Sequence, residues 1–214
     1  MFEKLPDAVG HALREQRAGL DKIVFNQLKL RAGTAAMTVS SLAFADHAPI
    51  PALYTADGDG NSPPLQWQGV PAAAASLILI VEDADSPTPQ PLVHAIVADL
   101  PGQDGGLPEG AIDPASAEGE EATIGRNSFL QAAWLPPDPP PGHGVHRYAF
   151  QLFALSDGPA FDSTPGREAV VELLQERAIA SGMLIGTYER GDGSIKIKGS
   201  QPAAALGPGG LVGP

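Results

Sequence analysis

The stretch SLILIVEDADSPTPQPLVHAIVADLP, residues 76–101, decides the fold. Ser76–Asp83 opens it as an unbroken apolar run of strand length, the pattern of a strand covered on both faces. Leu92–Leu100 is a second such run, bounded by Pro91 and Pro101, which have no N–H to give a ladder. Between them the chain leaves the sheet at Asp83-Ala84-Asp85-Ser86-Pro87, a carboxylate pair stiffened by Pro87. Outward from this centre, further strands read at Met37–Phe44, at His146–Leu155 and at Met183–Arg190. Side chains alternate across a strand, so His146, Tyr148, Phe150 and Leu152 share one face and Arg147 takes the other. Two helices read from 3.6-residue spacing. A short one starts at Asp7, carries Ala8, Val9, Ala12 and Leu13, and stops by Gly19; the other spans 165–181, capped by Thr164 and striped by Val170, Leu173, Leu174 and Ala178.

Composition narrows the class. The 214 residues include 25 Gly and 22 Pro, too many for a helical bundle. What remains is a mainly-β, strand-and-loop protein: a domain over 37–198 with one helix on its side, an N-terminal extension 1–36, and a disordered Gly/Pro/Ala tail 199–214. A net charge of −12 repels nucleic acid and anionic surfaces. The absence of cysteine excludes disulfides, thiolate metal sites and a cysteine nucleophile, and favours a cytoplasmic location. The N-terminus does not read as a secretory signal, and Leu77–Val81 is far too short to span a membrane. The apolar residues Ile23, Val24, Phe25, Leu28 and Leu30 call for 1–36 to pack on the domain's outer surface or against a second copy, as a homodimer, with a solvated leader as the alternative.

Three elements place polar groups where chemistry is possible. Asp83 and Asp85 form an ordinary turn or a functional carboxylate pair. His94, in mid-strand with Leu92 and Ile96 on its own face, is a hydrogen-bonded core residue or a ligand contact. His146 and Tyr148 follow the rigid run Pro136–Pro141 and either finish a strand edge or line a cavity. Together they have the donors that receive a small anion. His143 and His146 with Asp83 or Asp85 do not set a tetrahedral ligand count, so neither metal nor cofactor is called for.

The ordered motifs PALYTADGDGNSPPLQW, VEDADSP, LVHAIVADLP, GRNSF, PPPGHGVHRYAFQLFAL and GTYER, from about Met37 to Arg190, resemble the phosphatidylethanolamine-binding protein family, in particular its bacterial Raf-kinase-inhibitor-like branch. The resemblance implies an antiparallel sandwich with a pocket for phosphate-like anions and phospholipid headgroups. The family's Asp-x-Asp-x-Pro falls on Asp83, Asp85 and Pro87, its pocket histidine on His94, and its Pro-Pro-x-Gly-x-x-x-His-Arg-Tyr on Pro139, Pro140, Gly142, His146, Arg147 and Tyr148. Ser86 stands where the family often has Ala. Asp138 replaces a small residue before the proline pair, which places a carboxylate where an anion would sit. Ala95 replaces an aromatic, which widens the pocket or changes what it prefers. The expected function is a binding module for a small phosphate-bearing or carboxylate ligand, regulating a kinase or protease partner. Two alternatives stay open: a hydrolase or transferase using His94 or His146 as general base, with Ser128 as nucleophile, and an inhibitor acting through surface loops with a vestigial pocket.

Overall fold

The computed structural model describes residues 6–28, 35–113, 122–157, 161 and 164–191. Its strands are β1 (Ala35–Ala36), β2 (Thr38–Ser40), β3 (Ala48–Pro49), β4 (Leu65–Gln68), β5 (Ser76–Asp83), β6 (Leu92–Pro101), β7 (Gly105–Leu107), β8 (Thr123–Ile124), β9 (His146–Leu155) and β10 (Ala178–Tyr188). The helices are α1 (Asp7–Leu13), α2 (Val24–Gln27) and α3 (Arg167–Arg177). A large sheet runs in the order β1-β10-β9-β5-β6-β8, with β3 also paired to β10, and a small one in the order β2-β4-β7. The expected mainly-β sandwich is present, with one correction: β1 and β3 pair with β10 in parallel, so the large sheet is mixed.

The missing alternation in β5 has a direct cause. Leu77, Leu79 and Val81 pack with Phe150 and Leu152 of β9 against Val39, Leu65 and Trp67 of the small sheet. Ile78 and Ile80 face the other way, into Phe153, Val170 and Leu174. The small sheet covers one face and helices cover the other, so every position of β5 is buried.

Several expected element bounds move, and the strand expected at Met183–Arg190 becomes β10, which starts at Ala178 and ends at Tyr188. The strand expected at Met37–Phe44 keeps only β2, because the Ser41 hydroxyl donates to the Pro64 carbonyl and accepts the Ala43 N–H, turning the chain. The helix expected at 165–181 shortens to α3. Gly166 caps it without a side-chain bond, and Ala178–Gly182 joins β10, where the ladder to β9 satisfies its backbone. The first helix ends at Leu13 rather than running to Gly19, since Ala18 and Gly19 donate their N–H groups to the Ser86 and Ala84 carbonyls. The tail 199–214 lies outside the described residues.

Residues 6–28 lie along the large sheet of the same chain, with Ile23, Val24 and Leu28 buried. The anchor is Glu82, fully buried on the helix side of β5. It accepts bonds from Val24 N–H at 2.7 Å, Gln151 Nε2 at 2.9 Å and Arg167 Nε at 2.7 Å. Gln151 in turn accepts from Phe25 N–H, and Arg167 donates to the Lys22 carbonyl. No helix among the described residues is long and apolar enough to cross a membrane.

Candidate functional site

β5 ends at Asp83 and β9 begins at His146, and the two strands are paired, so these side chains meet where the chain leaves the sheet. His146 Nδ1 lies 2.7 Å from Asp83 Oδ2, and both groups are buried. His94 reaches the same place by an irregularity. The β5–β6 register pairs Val81 with Ala95 and Glu82 with Val93, leaving His94 as the extra residue of a bulge. A bulge re-aims the side chain it carries. Ile96 therefore packs on the helix side. His94 instead meets Tyr148 edge-on at 5.1 Å and Trp134 at 6.1 Å, which corrects the expectation that His94 and Ile96 share a face.

A cleft of about 330 Å³ opens here. Of the residues singled out in the sequence, Asp83, Pro87, His94, Asp138, Pro139, Pro140 and His146 line it. Tyr148 is fully buried behind His94, and its hydroxyl has no hydrogen-bond partner among the described residues. Asp85 is not on the wall. Its carboxylate takes Arg147 Nε at 2.6 Å, Arg147 Nη2 at 2.7 Å and Arg17 Nη1 at 3.1 Å, turning the loop away from the cleft. Sequence reading missed Thr88, Leu135 and Phe129, loop residues with no distinctive spacing; Leu135 and Phe129 join Leu92 in giving the cleft its apolar wall. It also missed Trp134 as the aromatic neighbour of His94, since Trp134 sits in a loop far along the chain with no spacing that ties it to the histidine.

Charges around the cleft are compensated. Arg190 Nη1 donates to Asp138 Oδ1 at 2.7 Å and to the Pro139 carbonyl at 3.0 Å, while its Nε and Nη2 hold Asp57. Asp138 is thus tied down beside the proline pair instead of standing as a bare carboxylate. The Asp83 Oδ1 atom accepts the Asp85 N–H at 2.8 Å, fixing the turn. Ser128 does not reach the cleft histidines: its hydroxyl accepts the Val93 N–H, and it lines a separate groove beside the start of α3.

Burial pushes the Asp85 carboxyl upward, but hydrogen bonds and charge from Arg147 and Arg17 overcome it and hold the group below its ordinary value of 3.8. A carboxyl whose folded value is depressed stabilises the fold at pH above its unfolded value, and that contribution is lost as pH falls through the folded one. Asp85→Asn is therefore expected to lower stability at pH 7 and to flatten its acid limb below about pH 4. Chemical unfolding at pH 7, 4 and 2.5 reads this. Parallel acid limbs in the two proteins would contradict it.

The family model for phosphatidylethanolamine-binding proteins matches residues 40–189. A UPF0098 protein of Methanothermobacter thermautotrophicus is 38% identical over 157 residues, which is 72% of this chain and all of that one. A solved structure from Chlamydia trachomatis, described as a phosphatidylethanolamine-binding protein homologue, superposes with a TM-score of 0.65 at 36% identity, over 72% of this chain and 98% of that one. YbcL of E. coli, described as a member of the mammalian family of these proteins, superposes with a TM-score of 0.67 at 27% identity and covers the same shares. With its fold and most of its length matched, the chain belongs to the phosphatidylethanolamine-binding protein family.

Proposed function

We propose that the cleft binds a small phosphate-bearing ligand: a phospholipid headgroup or a free phosphomonoester. His94 carries the reading. Its Nδ1 lies 2.6 Å from the Leu135 carbonyl, and its buried Nε2 has no hydrogen-bond partner among the described residues. A carbonyl only accepts, so Nδ1 holds a proton and Nε2 of the neutral ring is an open acceptor. Leaving such an atom buried and unpaired costs about 1–3 kcal/mol, which a ligand that supplies the partner recovers.

Burial, foremost, holds His94 below the ordinary histidine range, against the opposing pull of the Asp83 charge. Near neutral pH the ring accepts a P–O–H proton from a monoprotonated phosphate. Once protonated at lower pH, it donates to a phosphate oxygen instead and adds a positive charge. The unpaired Tyr148 hydroxyl lies buried behind His94, a second open donor for a group that enters past the histidine. Leu92, Leu135 and Phe129 offer apolar cover to the carbon part of a ligand. The names carried by the relatives support the same ligand class.

Protonation favours the bound anion, so affinity for phosphoethanolamine is expected to fall as pH rises from 5 to 8. His94→Phe is expected to weaken binding by about tenfold or more, the equivalent of one lost hydrogen bond to a charged group. Calorimetric titration of both proteins with phosphoethanolamine and with inorganic phosphate tests this and separates the headgroup from the bare anion. Absence of saturable heat in the parent protein, or equal affinity in His94→Phe, would overturn the reading.

A further inference from the structure

His143, in the loop before β9, is fully buried and continues the site away from the cleft. Its Nδ1 lies 2.7 Å from His146 Nε2, and its Nε2 lies 2.9 Å from the Leu13 carbonyl and 3.2 Å from the Gln16 carbonyl. With Asp83 at the far end, four groups form one line: backbone carbonyl, His143, His146, carboxylate.

Counting protons along that line restricts its charge. The carbonyls accept, so His143 Nε2 carries hydrogen. If His143 is neutral, its Nδ1 is bare and must accept from His146 Nε2–H. The 2.7 Å contact between His146 Nδ1 and Asp83 then needs a further proton. If His143 instead carries two protons, His146 can donate to Asp83 as a neutral ring. Either way the line holds one proton more than an ionised aspartate with two neutral histidines. Removing that proton sets two bare nitrogens, or a bare nitrogen and a carboxylate, face to face at hydrogen-bond distance. Burial, foremost, and then the charge of His146 push His143 below the ordinary range, which favours the first arrangement, with His143 neutral.

We propose that His143, oriented by the Leu13 and Gln16 carbonyls, is a positioning residue that locks one proton on the Asp83–His146 pair, so that docking of residues 6–28 sets the charge of the cleft. Without those carbonyls, His143 is free to donate from Nδ1 to His146 Nε2, His146 donates from Nδ1 to Asp83, and the line needs no extra proton. The segment that supplies them lies outside residues 40–189, the part matched by the family model. Arg17 fastens it, donating to the Val145 carbonyl at 2.7 Å and the His143 carbonyl at 2.9 Å. Gly10 lies so close to the Pro141 carbonyl that a Cβ there has no room.

Other ionisable groups that face the line are His94, Tyr148 and Arg147 from the sheet, Asp138 across the cleft, and Arg17 from the N-terminal segment, with His11 beside Gly142. Docking takes up a proton and makes the cleft one charge more positive. It therefore strengthens anion binding, and by linkage a bound anion strengthens docking. Only this last consequence rests on the proposed ligand class.

Histidine-selective ¹⁵N NMR of the full chain from pH 5 to 9, without ligand, tests the lock. The expected result is His146 protonated on both nitrogens and His143 protonated on Nε2 alone at pH 7. His143→Gln keeps a donor for the carbonyls and an acceptor for His146, and should preserve that state. His143→Phe, and Gly10→Ala, which lifts α1 from Pro141, should each leave the His146 ring with a single proton at pH 7. A singly protonated His146 at pH 7 in the parent chain, or a doubly protonated one in both His143→Phe and Gly10→Ala, would overturn the proposal. A lock that holds while phosphate leaves every imidazole signal unmoved would count against the ligand reading alone.

Discussion

Glu82→Ala is expected to destabilise the protein by about 3–5 kcal/mol, the cost of removing one partner from a buried ion pair. The substitution strands the Arg167 guanidinium, the Gln151 amide and the Val24 N–H, all of which converge on the one carboxylate. It also opens a cavity next to Ile80 and Phe153, which face the same side of the sheet. The first consequence should be local: residues 20–28 lose their anchor before the sheet opens, so limited proteolysis within that segment should quicken more than global unfolding does. Denaturant melts and timed proteolysis read the two effects. A loss under about 1 kcal/mol would mean that water replaces the carboxylate, and that the segment is held by apolar burial alone.

Asp83→Ala has the second large effect, and its direction separates two accounts of the site. If the cleft recognised anions by net charge alone, removing a carboxylate from its wall would tighten phosphate binding. Asp83 instead holds His146 through Oδ2 and the Asp85 N–H through Oδ1, so its loss frees both a histidine and the turn that shapes the cleft. Phosphate affinity is expected to fall by about tenfold or more, with a stability loss of about 1–3 kcal/mol for the donors left buried. Tighter binding in Asp83→Ala would contradict the geometric account.

The sheet was legible because its residues obey short periods. β5 and β9 have the bounds read from the sequence, since Ser76–Asp83 and His146–Leu155 are continuous runs ended by polar turns. The alternation in β9 also put His146 and Tyr148 on one face. Where long-range partners overrule local pattern, the sequence was silent. A two-residue period assigns His94 the company of Ile96, and nothing in LVHAIVADL marks the bulge that separates them. Asp83 and Asp85 read as a pair, yet one faces the cleft and the other is drawn away by Arg17, 68 residues earlier in the chain, and by Arg147. Helix spacing extends α3 through Ala178, but pairing with β9 claims that residue for β10. His143 reads in the sequence as part of GHGVHRY and as a metal ligand that lacks a full set; its place in the line depends on carbonyls of α1 and the turn after it, which no spacing within GHGVHRY can announce.

The central claim is that the open Nε2 of His94 is where a phosphate group docks. A crystal of the protein soaked in phosphoethanolamine near pH 6 tests it most directly. The account predicts a phosphate oxygen within about 3 Å of His94 Nε2, at hydrogen-bond distance, with the carbon end toward Leu92 and Leu135. A cleft holding only water at saturating ligand, or a phosphate bound elsewhere on the surface, would contradict it.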